Sequence, residues 1–308
     1  MAAVMDELTP EIKTSPKAQN WLLYVVCAVV FVLLGYVAIM YFLSGNQTQA
    51  DSLKDATVLG SGVASGFRVP IVTSTVELAS AKSPKLVPIL MYHQIRQAAS
   101  TETRMEQLMS VSPDLFRQEL QYLKDQGYAS ISLADLVAYA KNKKALPKKP
   151  VIITFDDGWE TQYINAFPLL KEFGFTATFF LITNEIGHDK TMTWEQAKEL
   201  ARANMIIGSH TKSHPYLNRL HDVVRQEDEI VGSKKIIEEH LGIPITVFAY
   251  PYGAYNSSLA TMAKEAGYIA ARSAQKGIAR TSDDLYTLKA ITVTGNFARF
   301  KYKLATGG

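Results

Sequence analysis

From Leu86 onward, short apolar runs alternate with amphipathic segments, and this alternation limits what the chain can fold into more than any other feature. Apolar runs at 86–92, 150–155, 176–182, 205–209, 245–250 and 289–294 predict strands. Apolar residues at helical spacing predict helices over 113–126, 132–142, 160–173, 193–203, 222–241 and 256–266. Ser112-Pro113 and Asn256 supply helix starts, and Gly127, Gly174 and Gly267 fall where C-terminal caps are expected. The order β-α-β-α specifies an α/β fold, a parallel sheet or barrel with helices outside, because parallel neighbours need a crossover and the helix provides it. Such folds place their chemistry at the C-terminal ends of strands, so those ends are where a site is sought.

The N-terminal third reads differently. Trp21–Leu43 contains no charged residue and is long enough, at about 1.5 Å per residue, to cross a hydrocarbon core of roughly 30 Å. A cleaved signal peptide competes with this reading, but its apolar region runs only about 7–15 residues. Lys13 and Lys17 precede the segment and no Lys or Arg follows until Lys54, which predicts an internal N-terminus and an external bulk. The single cysteine, Cys27, lies in that segment, so the external part cannot rely on a disulfide of its own. The expected organisation is a cytoplasmic start at 1–20, a transmembrane helix at 21–43, an extracellular Ser/Thr/Ala/Gly/Val-rich linker at 44–84, a folded α/β domain at 85–296 and a basic, solvated tail at 297–308. A net charge of +3 is too small to argue for nucleic acid.

Two strand ends carry chemistry. "VIITFDDGWE" ends a buried run in Asp156 and Asp157, followed by Gly158. Adjacent carboxylates raise each other's pKa and are costly to desolvate unless a cation compensates them. Alone, the pair also fits a helix cap beside a solvated acid. "MIIGSH" ends in His210, and "SHTKSH" places His214 four residues on, a spacing that lets two imidazoles converge on one ion. Two His and one Asp suit zinc or a similar divalent ion, with a position left open for water. A third end, "VFAYPYGAYN", holds the turn Pro251-Tyr252-Gly253, able to present a backbone N–H to substrate or to be an ordinary turn. Trp159 and Trp194 are candidates for a sugar-binding groove and equally for core packing.

In this order "TFDDG", "SHTKSH" and "YPYG" resemble the polysaccharide deacetylase family, whose catalytic module is the NodB homology domain; the resemblance covers roughly 86–294. It implies an irregular (β/α) barrel of about seven strands, with Asp157, His210 and His214 holding a divalent metal, Zn2+ foremost and Co2+, Ni2+ or Mn2+ as alternatives. It further implies that Asp156 is the general base and that the Tyr252 N–H, beside Pro251, stabilises the oxyanion. The family's reaction, hydrolysis of an N-acetyl group, needs an activated water, donors for the oxyanion and an acid for the leaving amine.

Two departures stand out. No histidine follows His240, where many members carry the acid, and Ala249-Tyr250 stand where an arginine usually precedes the Pro-Tyr-Gly turn. A branch that deacetylates exopolysaccharide carries an early "YH" strand in place of the late one, and "PILMYHQI" resembles it; His93 is therefore the candidate acid, against the plainer reading of a strand-end histidine with no role. The expected function is a membrane-anchored, metal-dependent N-deacetylase of an extracellular N-acetylglucosamine polymer, foremost poly-β-1,6-N-acetylglucosamine. Peptidoglycan or chitin oligomers are alternative substrates, and a catalytically weakened glycan-binding module is the alternative from another class. No H-E-x-x-H metalloprotease motif is present.

Overall fold

The computed structural model describes residues 85–307. The expected span at 21–43 and linker at 44–84 lie outside them. Among the described residues no helix is long and apolar enough to cross a membrane.

Seven strands close into a parallel barrel: β1 (Ile89–Tyr92), β2 (Pro150–Phe155), β3 (Thr178–Leu181), β4 (Ile206–Ser209), β5 (Val247–Ala249), β6 (Ala270–Lys276) and β7 (Leu288–Thr292). Each pairs in parallel with the next, and β7 and β2 flank β1, with Ile291 opposite Leu90 and Ile89 opposite Ile152. The (β/α) barrel expected from the resemblance is thus present. The early strand does sit between the last strand and the Asp-Asp strand.

Side-chain alternation sorts each strand into two cores. Ile89, Met91, Ile152, Phe180, Val247, Ala249, Ala270 and Ala290 fill the barrel interior. Leu90, Tyr92, Val151, Ile153, Phe155, Phe179, Phe248 and Ile291 face the helices. Phe180 fits inside only because Gly208 stands opposite: a Cβ there would lie 2.5 Å from its ring. On the outer side Tyr92 stacks on Phe155 at 5.4 Å and Phe155 on Phe179 at 4.9 Å, pairs worth about 0.5–1.5 kcal/mol each beyond the area they bury.

Except for two that continue from π-turns, the outer helices start where the sequence supplies a capping side chain. Helix α1 is Arg104–Met109, α2 Pro113–Asp125 after Ser112, and α3 Leu133–Ala140 after Ser132 in a capping box with Asp135. Then come α4 (Phe167–Phe173), α5 (Trp194–Arg202), α6 (Val223–Glu227), α7 (Ser233–Leu241) and α8 (Ser257–Glu265). The predicted helices at 160–173 and 222–241 are each interrupted by a π-turn, Gln162–Ala166 before α4 and Asp228–Gly232 between α6 and α7. The basic tail is corrected: Phe297–Thr306 forms helix α9, which buries Phe300 and Leu304 and sets Phe297 and Phe300 against Tyr122 of α2.

Glu119 of α2 is fully buried beneath β1, where it accepts a hydrogen bond from the Tyr92 hydroxyl at 3.0 Å. Burial pushes its carboxyl from the usual 4.5 up to about 8, against a smaller downward pull from Tyr92. Between those values the folded chain holds a proton that the unfolded chain has released, so this group's stabilisation falls as pH rises, by about 1.4 kcal/mol per unit. Glu119→Gln, which can still accept from Tyr92, is expected to gain stability over wild type progressively from about pH 5 to pH 8. Melting curves of the two proteins across that window check it; a constant offset would refute it.

Candidate active site

The alternation that packs the barrel interior also aims the site. Two residues beyond interior Met91, Thr154, Gly208 and Ala270 come His93, Asp156, His210 and Arg272, all directed to the C-terminal mouth. The turns that follow the strands hold positive φ at non-glycine residues: Asp157 at 75°, Thr211 at 69°, His214 at 56° and Tyr252 at 57°. Such conformations cost on the order of 1–3 kcal/mol each, and they gather here at one end of the barrel. Gly253, also at positive φ, lets the Pro251–Gly253 turn lie directly on β6, since a Cβ there would come within 2.3 Å of the Ala274 nitrogen.

The structure brings Asp157, His210 and His214 together. Nε2 of His210 and Nε2 of His214 are 3.2 Å apart, and Asp157 Oδ1 lies 3.7 Å and 3.6 Å from them. A tetrahedral ion with bonds of about 2.1 Å has donor–donor edges of about 3.4 Å, so the three atoms suit one shared cation. Burial lowers the pKa of His210 to about 4, its attraction to Asp156 and Asp157 notwithstanding, and lowers that of His214 as well. Both imidazoles are therefore neutral at neutral pH. His210 directs Nδ1 to the Ala249 carbonyl at 2.7 Å, which sets Nδ1 as the protonated nitrogen and leaves the Nε2 lone pair pointing at the other two donors. Without a cation, acceptor atoms would crowd one another; the donor set fits a divalent ion.

Asp156 is almost fully buried and points its two oxygens differently. Oδ1 pairs with Nη2 of Arg272, which is wholly buried, while Oδ2 lies 3.9 Å from His210 Nε2 on the metal side. Burial alone would raise this carboxyl, but the buried Arg272 guanidinium beside it outweighs that and holds Asp156 below the usual carboxylate range. It is ionised and ready to accept a proton. Arg272 is the partner that sequence reasoning missed. It reaches Asp156 from β6, whose residue 272 pairs with Ala249 just before the Pro-Tyr-Gly turn, so the cation arrives from the neighbouring strand. The available signal was an arginine inside the otherwise small and apolar stretch "IAARSA".

His93 is half-buried at the end of β1 and lines the same cavity, about 510 Å³, as Asp156, Asp157, His210, His214 and Tyr252. Its Nδ1 is buried without a hydrogen-bond partner. The ring of Tyr252 packs on His214 at 4.5 Å and on Tyr216 at 3.8 Å, and Arg219 covers the far face of Tyr216. That column walls one side of the cavity; Met105 and Met109 of α1 wall another. The Tyr252 N–H is in the first turn of a short helix and so has no partner within it.

The two tryptophans do not line the cavity. Trp159 donates its indole N–H to Asp157 Oδ2 at 3.0 Å, a task of orienting the carboxylate, and Trp194 stacks on His240 at 4.1 Å on the outside of α5. Pro251 is buried beneath the turn and shapes it without lining the cavity.

The profile of the polysaccharide deacetylase family matches residues 143–271. YxkH of Bacillus subtilis (strain 168), provisionally named a polysaccharide deacetylase, is 33% identical over 213 residues, 69% of this chain and 73% of its own. The poly-β-1,6-N-acetyl-D-glucosamine N-deacetylase of Escherichia coli (strain K12) is 25% identical over 67% of this chain, which spans only 36% of that larger protein. Among solved structures, the Streptococcus pyogenes deacetylase PplD in complex with acetate superposes with a TM-score of 0.68 and 32% identity, covering 73% of this chain and 100% of that one. Similarity of this extent, running through both the Asp-Asp and the His-His strand ends, means that the chain belongs to the polysaccharide deacetylase family.

Proposed function

We propose that this polysaccharide deacetylase removes N-acetyl groups from an extracellular N-acetylglucosamine polymer, poly-β-1,6-N-acetylglucosamine, using a divalent ion held by Asp157, His210 and His214. The observation that carries the reading is the ionised Asp156, held by Arg272 on one oxygen and facing the three donors with the other. Zinc suits the two-imidazole, one-carboxylate set; when bound, such an ion supplies Lewis acidity to water and to the amide carbonyl. Asp156 Oδ2 takes a proton from the attacking water while Arg272 keeps Oδ1 in place. The Tyr252 N–H donates to the carbonyl oxygen as negative charge develops on it. His93 then gives a proton to the leaving nitrogen, the C–N bond breaks, and acetate and the glycan amine depart.

The linkage rests on the early Tyr92-His93 strand and on the named activity of the Escherichia coli relative. Arg272 weighs against a catalytically weakened binding module, because it fills the role of the arginine that the Pro-Tyr-Gly turn lacks. A membrane-spanning segment at 21–43, with the barrel outside the cell, belongs to the same proposal and rests on the charge-free stretch and its flanking lysines. Amine release from β-1,6- and β-1,4-linked N-acetylglucosamine oligomers tests the substrate. The β-1,6 series is expected to be deacetylated faster; preference for β-1,4 would place the substrate among peptidoglycan or chitin-like chains, and release from neither would leave the binding module.

A further inference from the structure

We propose that the two π-turns are positioning devices, with Gln162 fixing the acid–base half of the site and Glu229 fixing the metal-binding half. This inference rests on the site reading given above. A π-turn adds a residue to a helical turn and re-aims the side chains around it. The turn Gln162–Ala166 points Gln162, fully buried, back under the barrel mouth, where its Nε2 donates to the His93 carbonyl at 2.8 Å and to the Asp156 carbonyl. One amide therefore ties the ends of β1 and β2, the two strands that present the acid and the base.

The turn Asp228–Gly232 points buried Glu229 at the strained loop between His210 and His214. Glu229 Oε2 accepts from Lys212 N at 2.8 Å and Ser213 N at 2.9 Å, and Oε1 accepts from the Ser213 hydroxyl. Neighbouring Asp228 grips the Lys212 ammonium at 2.8 Å. Thr211 and His214, at either end of this short stretch, have positive φ, and the Thr211 hydroxyl accepts from His214 N at 3.0 Å. A loop held in sparsely populated conformations needs outside restraint, and Glu229 supplies it without touching the ion.

The two positions predict opposite signatures, which a merely structural role would not produce. In the full chain, Glu229→Met should weaken Zn2+ binding about 10- to 100-fold by calorimetry, since loss of a group that orients a ligand has that scale. Glu229→Gln should restore affinity to within about threefold, because its oxygen can accept both N–H groups and its amide can donate to Ser213. Gln162→Met should leave Zn2+ affinity unchanged and lower kcat about tenfold or more through displaced His93 and Asp156. If Glu229→Met does not fold, Ser213→Ala, at an exposed position, should still weaken Zn2+ binding by about threefold. Wild-type affinity in Glu229→Met and Ser213→Ala, or equal loss of affinity in Gln162→Met, would overturn the inference; a wild-type chain that binds no Zn2+ would overturn the metal-site reading beneath it.

Discussion

Asp156→Asn is expected to keep its metal and lose about two to four orders of magnitude in turnover, the usual scale for a general acid or base. The carboxamide has the same shape but no longer accepts a proton, whereas Asp157, His210 and His214 remain in place. A second effect follows from Arg272, which is 0% exposed and would lose its counter-charge; breaking such a buried pair costs about 3–5 kcal/mol. Asp156→Asn should therefore also melt earlier. The double variant Asp156→Asn/Arg272→Met separates the two effects: it removes the orphaned cation and should recover stability while remaining inactive. Metal content and kcat on the same samples check this. Loss of metal in step with loss of rate would make Asp156 a ligand.

His93→Ala should retain metal and fold yet lose about two to four orders of magnitude in amide hydrolysis, because an amine cannot leave without a proton. An aryl acetate ester expels a phenolate that needs none, so the same variant should hydrolyse it within about threefold of wild type. The contrast between the two substrates separates proton donation from general damage to the cavity. Equal losses on amide and ester would assign His93 to packing or substrate positioning; no loss on either would leave it a strand-end histidine with no part in the reaction.

Much of the barrel was legible because its strands are apolar and its helices capped, so the period of the sequence and the backbone agree. Strand β6 was not: "AARSAQK" is rich in residues of low β-propensity and becomes a strand because β5 and β7 offer ladders on both sides. Arg272 was hidden with it, since nothing marks an arginine as catalytic support until its strand is placed beside Asp156. Strand parity brings Asp156 and His210 to the mouth, whereas Asp157 and His214 are placed beside them by the positive-φ turns that follow β2 and β4, which the spacing did not show. The π-turns were not visible, as a π-turn keeps a helical pattern while shifting its phase. Helix α9 did show Phe297, Phe300 and Leu304 at helical spacing, a signal outweighed by its lysines and arginine. For Trp159 and Trp194 the sequence left groove and core packing equally open, because aromatic identity alone does not say which way a ring faces.

That Asp157, His210 and His214 hold the ion on which deacetylation depends is tested most directly by measuring metal content and amine release on the same preparations of wild type and His210→Ala. Wild type should carry a divalent ion, lose it and its activity together on chelation, and regain both with Zn2+. His210→Ala, with two of the three protein ligands left, should bind the ion poorly and release no amine. A His210→Ala protein with full metal content and wild-type amine release would contradict the assignment.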